Sequence, residues 1–401
     1  MAAARRTAIG LMSGTSMDGV DVAVIETDGE TVFASGAAST TAYTDDVRNA
    51  LLAVARDPAR AENEALTDLS AAVTDLNAAA VRRLLDEAGL KPDAVDVVGM
   101  HGQTVLHRPE RRFTRQLGDG ARLAAALGIA CVNDFRSADV AAGGQGAPFA
   151  PLYHAALAKD LPRPLAVLNL GGVGNVTIIE GGAITAFDTG PASAMIDDWV
   201  QRHTGARYDE DGRIAASGAV AQDRLAALLA NPYFDAPPPK SLDRNDFPLA
   251  AVDGLSLADG AATLAAFTVA SVAASRRHFA AAPGRWLVTG GGRHNGTLMA
   301  GLRQALGVPV DPVEAVGWDG DALEAQAFAF LAVRSLDGLP LSLPTTTGVP
   351  RPMTGGVLHR PCRGRRDAPS FCHRRARPGD PGATTDRPCQ ENPGCPGQAR
   401  A

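Results

Sequence analysis

Residues 9–21, IGLMSGTSMDGVD, set an apolar segment on each side of a polar turn that is rich in glycine. We predict a strand at residues 8–12, a turn at 13–19 and a second strand at 20–25. Glycines let backbone amides approach an anion closely, and the neighbouring hydroxyl and carboxylate groups add polar contacts. The turn is therefore a candidate phosphate cradle. A tight hairpin that only needs flexible glycines is the alternative that the turn by itself leaves open.

A similar pattern returns about 158 residues further along the chain. Residues 165–170 (LAVLNL) form a predicted strand, 171–175 (GGVGN) a turn and 176–179 (VTII) a second strand. Two such hairpins predict a duplicated architecture.

The remaining sequence alternates predicted helices and strands. Apolar residues at helical spacing predict helices, and short apolar runs predict strands. The helices are expected at residues 62–90, 120–127, 192–204, 219–230, 258–281, 295–306 and 319–336. Further strands are expected at residues 95–100, 129–132 and 285–289. This alternation is typical of an α/β fold.

Composition limits the possible functions. The 401 residues are 45% apolar, which is enough for folded cores, and the net charge is −6. Because residues 362–401 hold eight arginines against four acidic residues, the rest of the chain carries a net charge of about −10, and we expect no nucleic-acid groove. No apolar run approaches the roughly 18 residues that span a bilayer, so we expect no membrane segment and a cytoplasmic location.

The last forty residues differ from the rest of the chain. Residues 362–401 contain four of the five cysteines and no Ile, Leu, Val or Met. Such a segment cannot bury a core, so we predict a disordered tail or an altered reading frame, and its Cys and His spacings do not match a zinc finger. Cys131, in an apolar stretch, is expected to be a packed structural thiol.

Two further glycine groups follow predicted strands, and an acidic residue stands near one of them. Gly171 and Gly172 end one strand, and Gly290, Gly291 and Gly292 end another, while no P-loop sequence is present. Together with the first turn they predict a nucleotide cleft.

Asp188 in the string FDTGP (187–191) lies between a short apolar segment and a predicted helix. It is a candidate catalytic base, and a helix N-cap or turn former is the alternative. His101 and His107 are not at metal-ligand spacing, so they are expected to line or support a polar pocket. Asp134 could orient a substrate or cap the following helix, and both interpretations remain open.

Taken together, these residues resemble the anhydro-N-acetylmuramic acid kinases, which are sugar kinases of peptidoglycan recycling in the actin-like ATPase superfamily. The resemblance covers nearly all of residues 7–361. It rests on residues 9–21, 101–104, 142–148, 168–175, 187–191, 290–292, 323–325 and 344–352. The string at 9–21 and AGGQGAP at 142–148 are long and specific.

The resemblance implies ATP-dependent conversion of 1,6-anhydro-N-acetylmuramic acid to N-acetylmuramic acid 6-phosphate, with opening of the anhydro bridge and with Mg²⁺ assisting. It implies that Asp188 is the general base and that Glu324 lies in the cleft. ATP contacts are expected from Gly14, Thr15, Ser16, Met17, Asp18, Gly19, Val20, Asp21, Gly171, Gly172, Gly290, Gly291 and Gly292. Substrate contacts are expected from His101, Gln103, Asp134 and Glu324, and the sequence indicates no protein metal ligands. Arg136 and Arg207 are candidates for the substrate carboxylate on charge alone.

The implied fold is α/β, with two actin-like, ribonuclease H-like domains and a nucleotide cleft between them. The first domain would comprise residues 1–133 and 318–342, and the second 134–317, followed by a C-terminal segment, 343–361. The family tendency to dimerise implies a homodimer whose other partners are small molecules, with neither nucleic acid nor membrane.

Two departures from the family stand out. Many members have Gly-Asn where this chain has Ala192 and Ser193, and the tail from residue 362 has no counterpart. Two alternatives remain: a kinase that phosphorylates a pre-existing hydroxyl, and a nucleotide-dependent binding protein without turnover. The polar loop at 143–148 favours a dedicated second ligand.

Overall fold

The computed structural model describes residues 4–14, 16–242 and 246–361. These residues form two β-sheets with helices packed against them. The strands are β1 (Arg6–Ser13), β2 (Gly19–Thr27), β3 (Val32–Ala42), β4 (Val97–Arg108), β5 (Phe113–Leu117), β6 (Cys131–Asn133), β7 (Leu165–Leu170), β8 (Val173–Glu180), β9 (Ala183–Pro191), β10 (Arg285–Thr289), β11 (Val310–Pro312) and β12 (Val357–His359). The α-helices are α1 (Asp45–Ala55), α2 (Pro58–Asn63), α3 (Thr67–Ala88), α4 (Gly120–Leu127), α5 (Ser137–Ala141), α6 (Pro151–Leu157), α7 (Ser193–Thr204), α8 (Arg213–Ala216), α9 (Gln222–Leu229), α10 (Leu257–Ser275), α11 (Gly296–Leu306) and α12 (Leu323–Leu336).

The first sheet has the order β12-β6-β4-β1-β2-β3, with β5 paired to β4. Strands β1, β2 and β3 form an antiparallel meander, and β4 and β6 continue the sheet parallel to β1. Strand β12 closes the edge by pairing antiparallel with β6.

The second sheet has the order β11-β10-β7-β8-β9. Here β7, β8 and β9 form the antiparallel meander, and β10 and β11 add parallel strands. Starting from the outer strand of each meander, the order is β3-β2-β1-β4-β6 in the first sheet and β9-β8-β7-β10-β11 in the second. Both sheets therefore share one strand order. This repeat confirms the predicted duplication and the predicted α/β class of two ribonuclease H-like sheets.

Helix α12 packs against β1, β2 and β4, on the first sheet. Gly10 in β1 and Gly99 in β4 permit this close approach, because a Cβ at either position would overlap backbone atoms of Ala325 or Phe328 in α12. On the opposite face, α3 joins Ile9 and Leu11 of β1 in a separate apolar cluster. Strand β1 is therefore covered on both faces, which explains why its apolar residues are continuous and not alternating.

The core of the second half lies between its sheet and helices α7 and α10, around Trp199, Phe267 and Trp286. The helical segment Leu257–His278 is long and apolar enough to cross a membrane by length and composition, with a mean hydropathy of 1.5. More than half of it, 56%, is buried within the protein. Its apolar character is thus explained by packing on several sides.

The structure corrects three predicted boundaries. The helix expected at 62–90 is interrupted: α2 ends at Asn63, and α3 begins only after Leu66, whose φ is 54°. The strand expected at 95–100 continues to Arg108 because it also pairs with β5. The last helix begins at Leu323 and not at 319, because the Asp319 carboxylate caps the preceding turn by accepting from the Ala322 amide.

Cys131 is buried, and burial raises the pKa of its thiol to about 12, as expected of a packed structural residue. The predictions for residues 362–401 lie outside the described residues.

Candidate active site

A cleft lies where the ends of β7, β8 and β9 approach the first turn of α12. Asn169, Asn175 and Asp188 come from the three adjacent strands, and Glu324 comes from α12. The remaining polar or charged side chains that line it are Arg136, His154 and Thr289. A carboxylate pair, a cation and two amides are thus collected in one half-buried space.

Asp188 is held by its backbone and by one carboxylate oxygen. The Leu242 amide donates to Oδ2 at 2.8 Å, and the Asp188 amide donates to the Lys240 carbonyl at 3.0 Å. The Tyr233 hydroxyl donates to the Asp188 carbonyl at 2.6 Å. Strand β9 continues past Asp188 to Pro191, and the residue that caps α7 is Ala192, without a side-chain bond. The alternative that Asp188 is a helix N-cap is therefore wrong.

Desolvation raises the pKa of the Asp188 carboxyl to about 7, and the hydrogen bond from Leu242 opposes that rise. A carboxyl with a pKa near neutrality can accept a proton from water or from a hydroxyl at physiological pH. The side chain is half-buried and lines the cleft, so its second oxygen has access to a ligand.

Glu324 accepts a hydrogen bond of 3.0 Å from the Asn169 side-chain amide. Burial and the charge of Asp21 raise the pKa of Glu324, while Arg136 and Asn169 lower it. The charge of Glu324 therefore interacts both with Asp21 in the first hairpin and with Arg136, the cation of the cleft.

Arg136 follows β6 and supplies the cation. Its Nε donates to His101 Nε2 at 2.9 Å, and its terminal nitrogen donates to the Gly146 carbonyl in the loop at 143–148. Burial lowers the pKa of Arg136 to about 10, so the guanidinium stays charged at neutral pH. Arg207, the other arginine suggested on charge alone, is exposed and does not line this cleft.

The first glycine-rich turn is fixed by contacts at both ends. The Met17 amide donates to the Gly14 carbonyl at 3.3 Å, and Ser16 Oγ donates to Asp18 Oδ1 at 2.7 Å. Gln103 reaches the turn from β4 and donates from Nε2 to the same Gly14 carbonyl at 3.0 Å. Thr15 lies outside the described residues. Gln103 therefore supports the turn, and its buried Oε1 atom has no hydrogen-bond partner among the described residues.

The second and third glycine groups lie together. Gly290 has φ of 77°, and a Cβ there would overlap Asn169 and Leu170 at the end of β7. A Cβ at Gly292 would lie 2.6 Å from Leu170 Cβ. Close packing against the end of β7 is sufficient to explain glycine at positions 290 and 292. Their presence alone is therefore not evidence of a bound ligand. Gly290 nevertheless adjoins Asn169, which lines the cleft.

His101 and Asp134 line a second cavity, between β4, β5 and the end of β6. Asp134 has φ of 53° and accepts from the amide of Ser137, the first residue of α5, at 3.3 Å, although the N-cap position of that helix is Arg136. Burial and the Arg136 charge lower the pKa of His101 well below its usual value. Of the four predicted substrate residues, Glu324 alone lines the cleft with Asp188, and His101 reaches it through Arg136.

Sequence reasoning missed Asn169 and Asn175, which face each other across β7 and β8. Both are polar residues at the ends of otherwise apolar strands, beside the second glycine-rich turn. Such a polar residue next to a glycine-rich turn is the sequence feature that could have identified both as candidate site residues. His154 was also missed, and nothing in its apolar sequence context distinguishes it from a core histidine.

Acidic groups lie beside the first turn, where the charges of Asp18 and Asp321 act on Asp21. Burial is the main cause of the raised pKa of Asp21, the two neighbouring charges add to the rise, and a hydrogen bond from Thr40 opposes it. Within residues 4–14, 16–242 and 246–361, no three His, Cys, Asp or Glu side chains are grouped closely enough to hold a metal by themselves. Mg²⁺ is commonly bound by one or two carboxylates together with substrate phosphates.

The duplicated sheets, the glycine-rich hairpins and the cleft with the half-buried Asp188 carboxyl describe an α/β protein with a candidate active site. The family model for anhydro-N-acetylmuramic acid kinase matches residues 6–361, and the chain belongs to that family. It is therefore an ATP-dependent sugar kinase.

Two curated relatives illustrate the match. The anhydro-N-acetylmuramic acid kinase of Rhodospirillum rubrum is 58% identical, over 87% of this chain and 93% of the relative. That of Paramagnetospirillum magneticum is 56% identical, over 88% of this chain and 99% of the relative. A solved structure, (R)-2-hydroxyglutaryl-CoA dehydratase component A of Acidaminococcus fermentans, aligns with a TM-score of 0.44 at 12% identity, over 83% of this chain and 99% of that chain. That structural likeness is too weak to bear on activity.

Proposed function

We propose that this enzyme uses ATP and one water molecule to convert 1,6-anhydro-N-acetylmuramic acid into N-acetylmuramic acid 6-phosphate and ADP, in peptidoglycan recycling. Family membership supports the substrate. The observation that carries the chemistry is the carboxyl of Asp188, whose pKa of about 7 suits a base at neutral pH.

The first half of the reaction is attack by water at the anomeric carbon. Asp188 takes one proton from the water as the new bond from oxygen to C1 forms and the bond from C1 to the bridging O6 breaks. Attack from the face opposite the leaving oxygen needs one positioned base, as in inverting glycoside hydrolysis. The Leu242 amide occupies Oδ2 of Asp188, which leaves Oδ1 for the water.

The second half is phosphoryl transfer. The departing O6 forms a bond to the γ-phosphorus of ATP, while the bond from that phosphorus to the bridging oxygen of ADP breaks. Since the phosphoryl group captures O6, no carboxylic acid is needed to protonate the leaving oxygen. Such transfers depend mainly on positioning and on stabilisation of charge.

We assign the ATP phosphates to the turn at residues 14–21 and to the glycines at 171–172 and 290–292. When bound, Mg²⁺ would neutralise phosphate charge, with Asp18 and Asp21 as its carboxylate partners. The proximity of Asp18 to Asp21 supports this assignment, because Mg²⁺ is commonly bound by one or two carboxylates together with substrate phosphates.

We assign the substrate carboxylate to Arg136 and a sugar hydroxyl to Glu324. A guanidinium can bind a carboxylate through paired N–H groups, and Arg136 retains its charge near neutral pH. The hydrogen bond from Asn169 fixes one oxygen of Glu324 and leaves the other available. His101 and Gln103 would act through Arg136 and through the first turn.

We further propose a domain division into residues 1–133 with 318–342 and residues 134–317, closing over the ligands. Packing of α12 on the first sheet supports the assignment of 318–342 to the first domain. A cytoplasmic location, a homodimer and the absence of membrane or nucleic-acid partners remain predictions. Size-exclusion chromatography with light scattering tests the dimer.

Mass spectrometry of the product tests the reaction. The protein is incubated with Mg-ATP and 1,6-anhydro-N-acetylmuramic acid in ordinary water and then in ¹⁸O-labelled water. Addition of one phosphoryl group and one water, with the label on the anomeric oxygen, is expected. Addition of a phosphoryl group alone would show an ordinary kinase in which Asp188 deprotonates a hydroxyl. ATP binding without a sugar product would favour a non-catalytic role.

A further inference from the structure

Residues 240–242 form a short segment that runs alongside Asp188 and contacts it twice. The Asp188 amide donates to the Lys240 carbonyl, and the Leu242 amide donates to Asp188 Oδ2. The two bonds hold both the backbone and one carboxylate oxygen of the residue proposed as the base. The orientation of that carboxylate therefore depends on where the segment lies.

The Lys240 side chain anchors the segment to a neighbouring turn. Its ammonium donates to the carbonyls of Tyr233 at 2.9 Å and Phe234 at 3.3 Å, and it lies over the Tyr233 ring at 4.6 Å from the centroid. His278 Nε2 lies 3.3 Å from the ammonium and 3.1 Å from the Phe234 carbonyl, so it accepts from Lys240 in one tautomer and donates to Phe234 in the other. The ammonium thus has two carbonyl acceptors in either tautomer, and the group is half-buried.

The identity of this residue is unusual in this chain. Lysine occurs at only three positions in the sequence, 91, 159 and 240, among 38 basic residues. Lys91 and Lys159 are exposed, whereas Lys240 has a compact set of acceptors in a half-buried site. A compact ammonium with three rotatable donors fits such a set better than a planar guanidinium does.

The next residue joins the same segment to the polar loop at 143–148. Ser241 Oγ donates to Gln145 Oε1 at 2.7 Å, and the carbonyl of Gly146 in that loop accepts from Arg136. The segment therefore connects the proposed base to the loop that holds the cation of the cleft.

We propose that Lys240 is a positioning residue: it fixes segment 240–242 so that the Leu242 amide restrains one oxygen of Asp188 and directs the other toward the attacking water. This inference rests on the proposed role of Asp188 as the base. It assigns Lys240 no contact with substrate.

Other charged or titratable groups face Asp188 and could influence a pH profile. Tyr233 contacts its carbonyl, and Tyr233 in turn is affected by the charges of Asp188 and Asp246. His154, Arg136 and Glu324 line the same cleft. The pKa of Lys240 is lowered to about 8, mainly by burial. The charge of Arg277 adds to that fall, and the charge of Asp235 opposes it. The controls must therefore leave all of these residues in place.

The test compares Lys240→Met and Lys240→Arg with the matched control Lys159→Met, which alters an exposed lysine. Thermal unfolding and ATP affinity establish folding, and the pH dependence of kcat is then measured with the sugar substrate. For Lys240→Met we expect kcat to fall roughly 10- to 100-fold, as for a misplaced catalytic group, while the KM for ATP changes less than about twofold. The acidic limb should move to higher pH, because the restraining hydrogen bond favours the charged carboxylate.

Lys240→Arg should recover part of the lost rate, and Lys159→Met should match the unmodified enzyme. A folded Lys240→Met enzyme with an unchanged kcat and pH profile would overturn the inference. If Lys240→Met does not fold, Leu242→Pro, which removes the amide donor itself, is measured instead and should show the same shift; an unchanged profile there would overturn it.

Asp188→Asn separates this inference from the proposed function. An inactive Asp188→Asn enzyme beside an unaltered Lys240→Met enzyme overturns the role of Lys240 alone. Full turnover by Asp188→Asn overturns the base assignment and, with it, the positioning role.

Discussion

Asn169 and Glu324 are 155 positions apart in the chain and are joined by a hydrogen bond of 3.0 Å. Asn169 is the penultimate residue of β7 in the second sheet, and Glu324 lies in the first turn of α12, which packs on the first sheet. The bond therefore connects the two halves at the cleft. It also fixes one oxygen of a carboxylate whose pKa is already raised by burial and by Asp21.

We expect Asn169→Ala and Glu324→Ala to be strongly non-additive. Each removes the same bond, so the double variant should lose less kcat/KM than the product of the single losses, with a coupling of about 0.5–3 kcal/mol. A double-mutant cycle measures this coupling. Glu110→Ala, at an exposed position, should be additive with Asn169→Ala, and additivity of the Asn169 and Glu324 pair would contradict the assigned contact.

Asp188→Asn should reduce kcat by about 10²–10⁴-fold, the range expected when a general base is lost. Because Asp188 lies on β9 and not in the glycine-rich turns, ATP affinity should be preserved. Single-turnover kinetics and calorimetric ATP binding check the two parts. Asp160→Asn at an exposed site is the control, and substantial turnover by Asp188→Asn would refute its role.

The pH dependence of kcat should show an acidic limb near pH 7. The base must be ionised to accept a proton, and burial raises the pKa of Asp188 to about 7. Activity should therefore rise through neutral pH and fall about tenfold for each unit below it. The residual rate of Asp188→Asn should lack this limb. A limb near pH 4 would indicate a solvated carboxyl.

Gln103→Leu should raise the KM for ATP by about tenfold, because it removes the donor to the Gly14 carbonyl, and a lost hydrogen bond of this kind is worth about 1–1.5 kcal/mol. With saturating ATP, kcat should change little. Steady-state kinetics test this split, and Gln304→Leu on the exposed side of α11 is the control. An unchanged KM for ATP would show that the hydrogen bond from Gln103 to Gly14 does not hold the turn in its ATP-binding conformation.

Gly99→Ala should destabilise the fold by about 3 kcal/mol or more, since the added methyl group meets the backbone of Phe328 in α12, which cannot move as a flexible side chain does. Thermal or urea unfolding measures the change. Gly182→Ala is the matched control, because a Cβ there has no neighbour within 4 Å. Equal stability of the two variants would contradict the close approach of α12 to β4.

Local patterns predicted much of the fold. Strand β10 and helix α4 have the predicted bounds, because apolar periodicity and flanking glycines act over a few residues. The interruption at Leu66 was missed, since its left-handed backbone has no glycine to mark it. The sequence places Asp188 between a short apolar segment and a helix, but pairing with β8 carries strand β9 through Asp188 to Pro191.

The sequence by itself determined the two glycine-rich hairpins, their repetition and the candidate base, because each depends on residues that are neighbours in the chain. Tertiary structure alone decided that Asn169 meets Glu324 and that Leu242, 54 positions away, meets Asp188. It also separated Asp134 from the cleft and brought Arg136 into it. Such contacts and the resulting pKa values depend on how sheets and helices pack and exclude water, which no local pattern encodes.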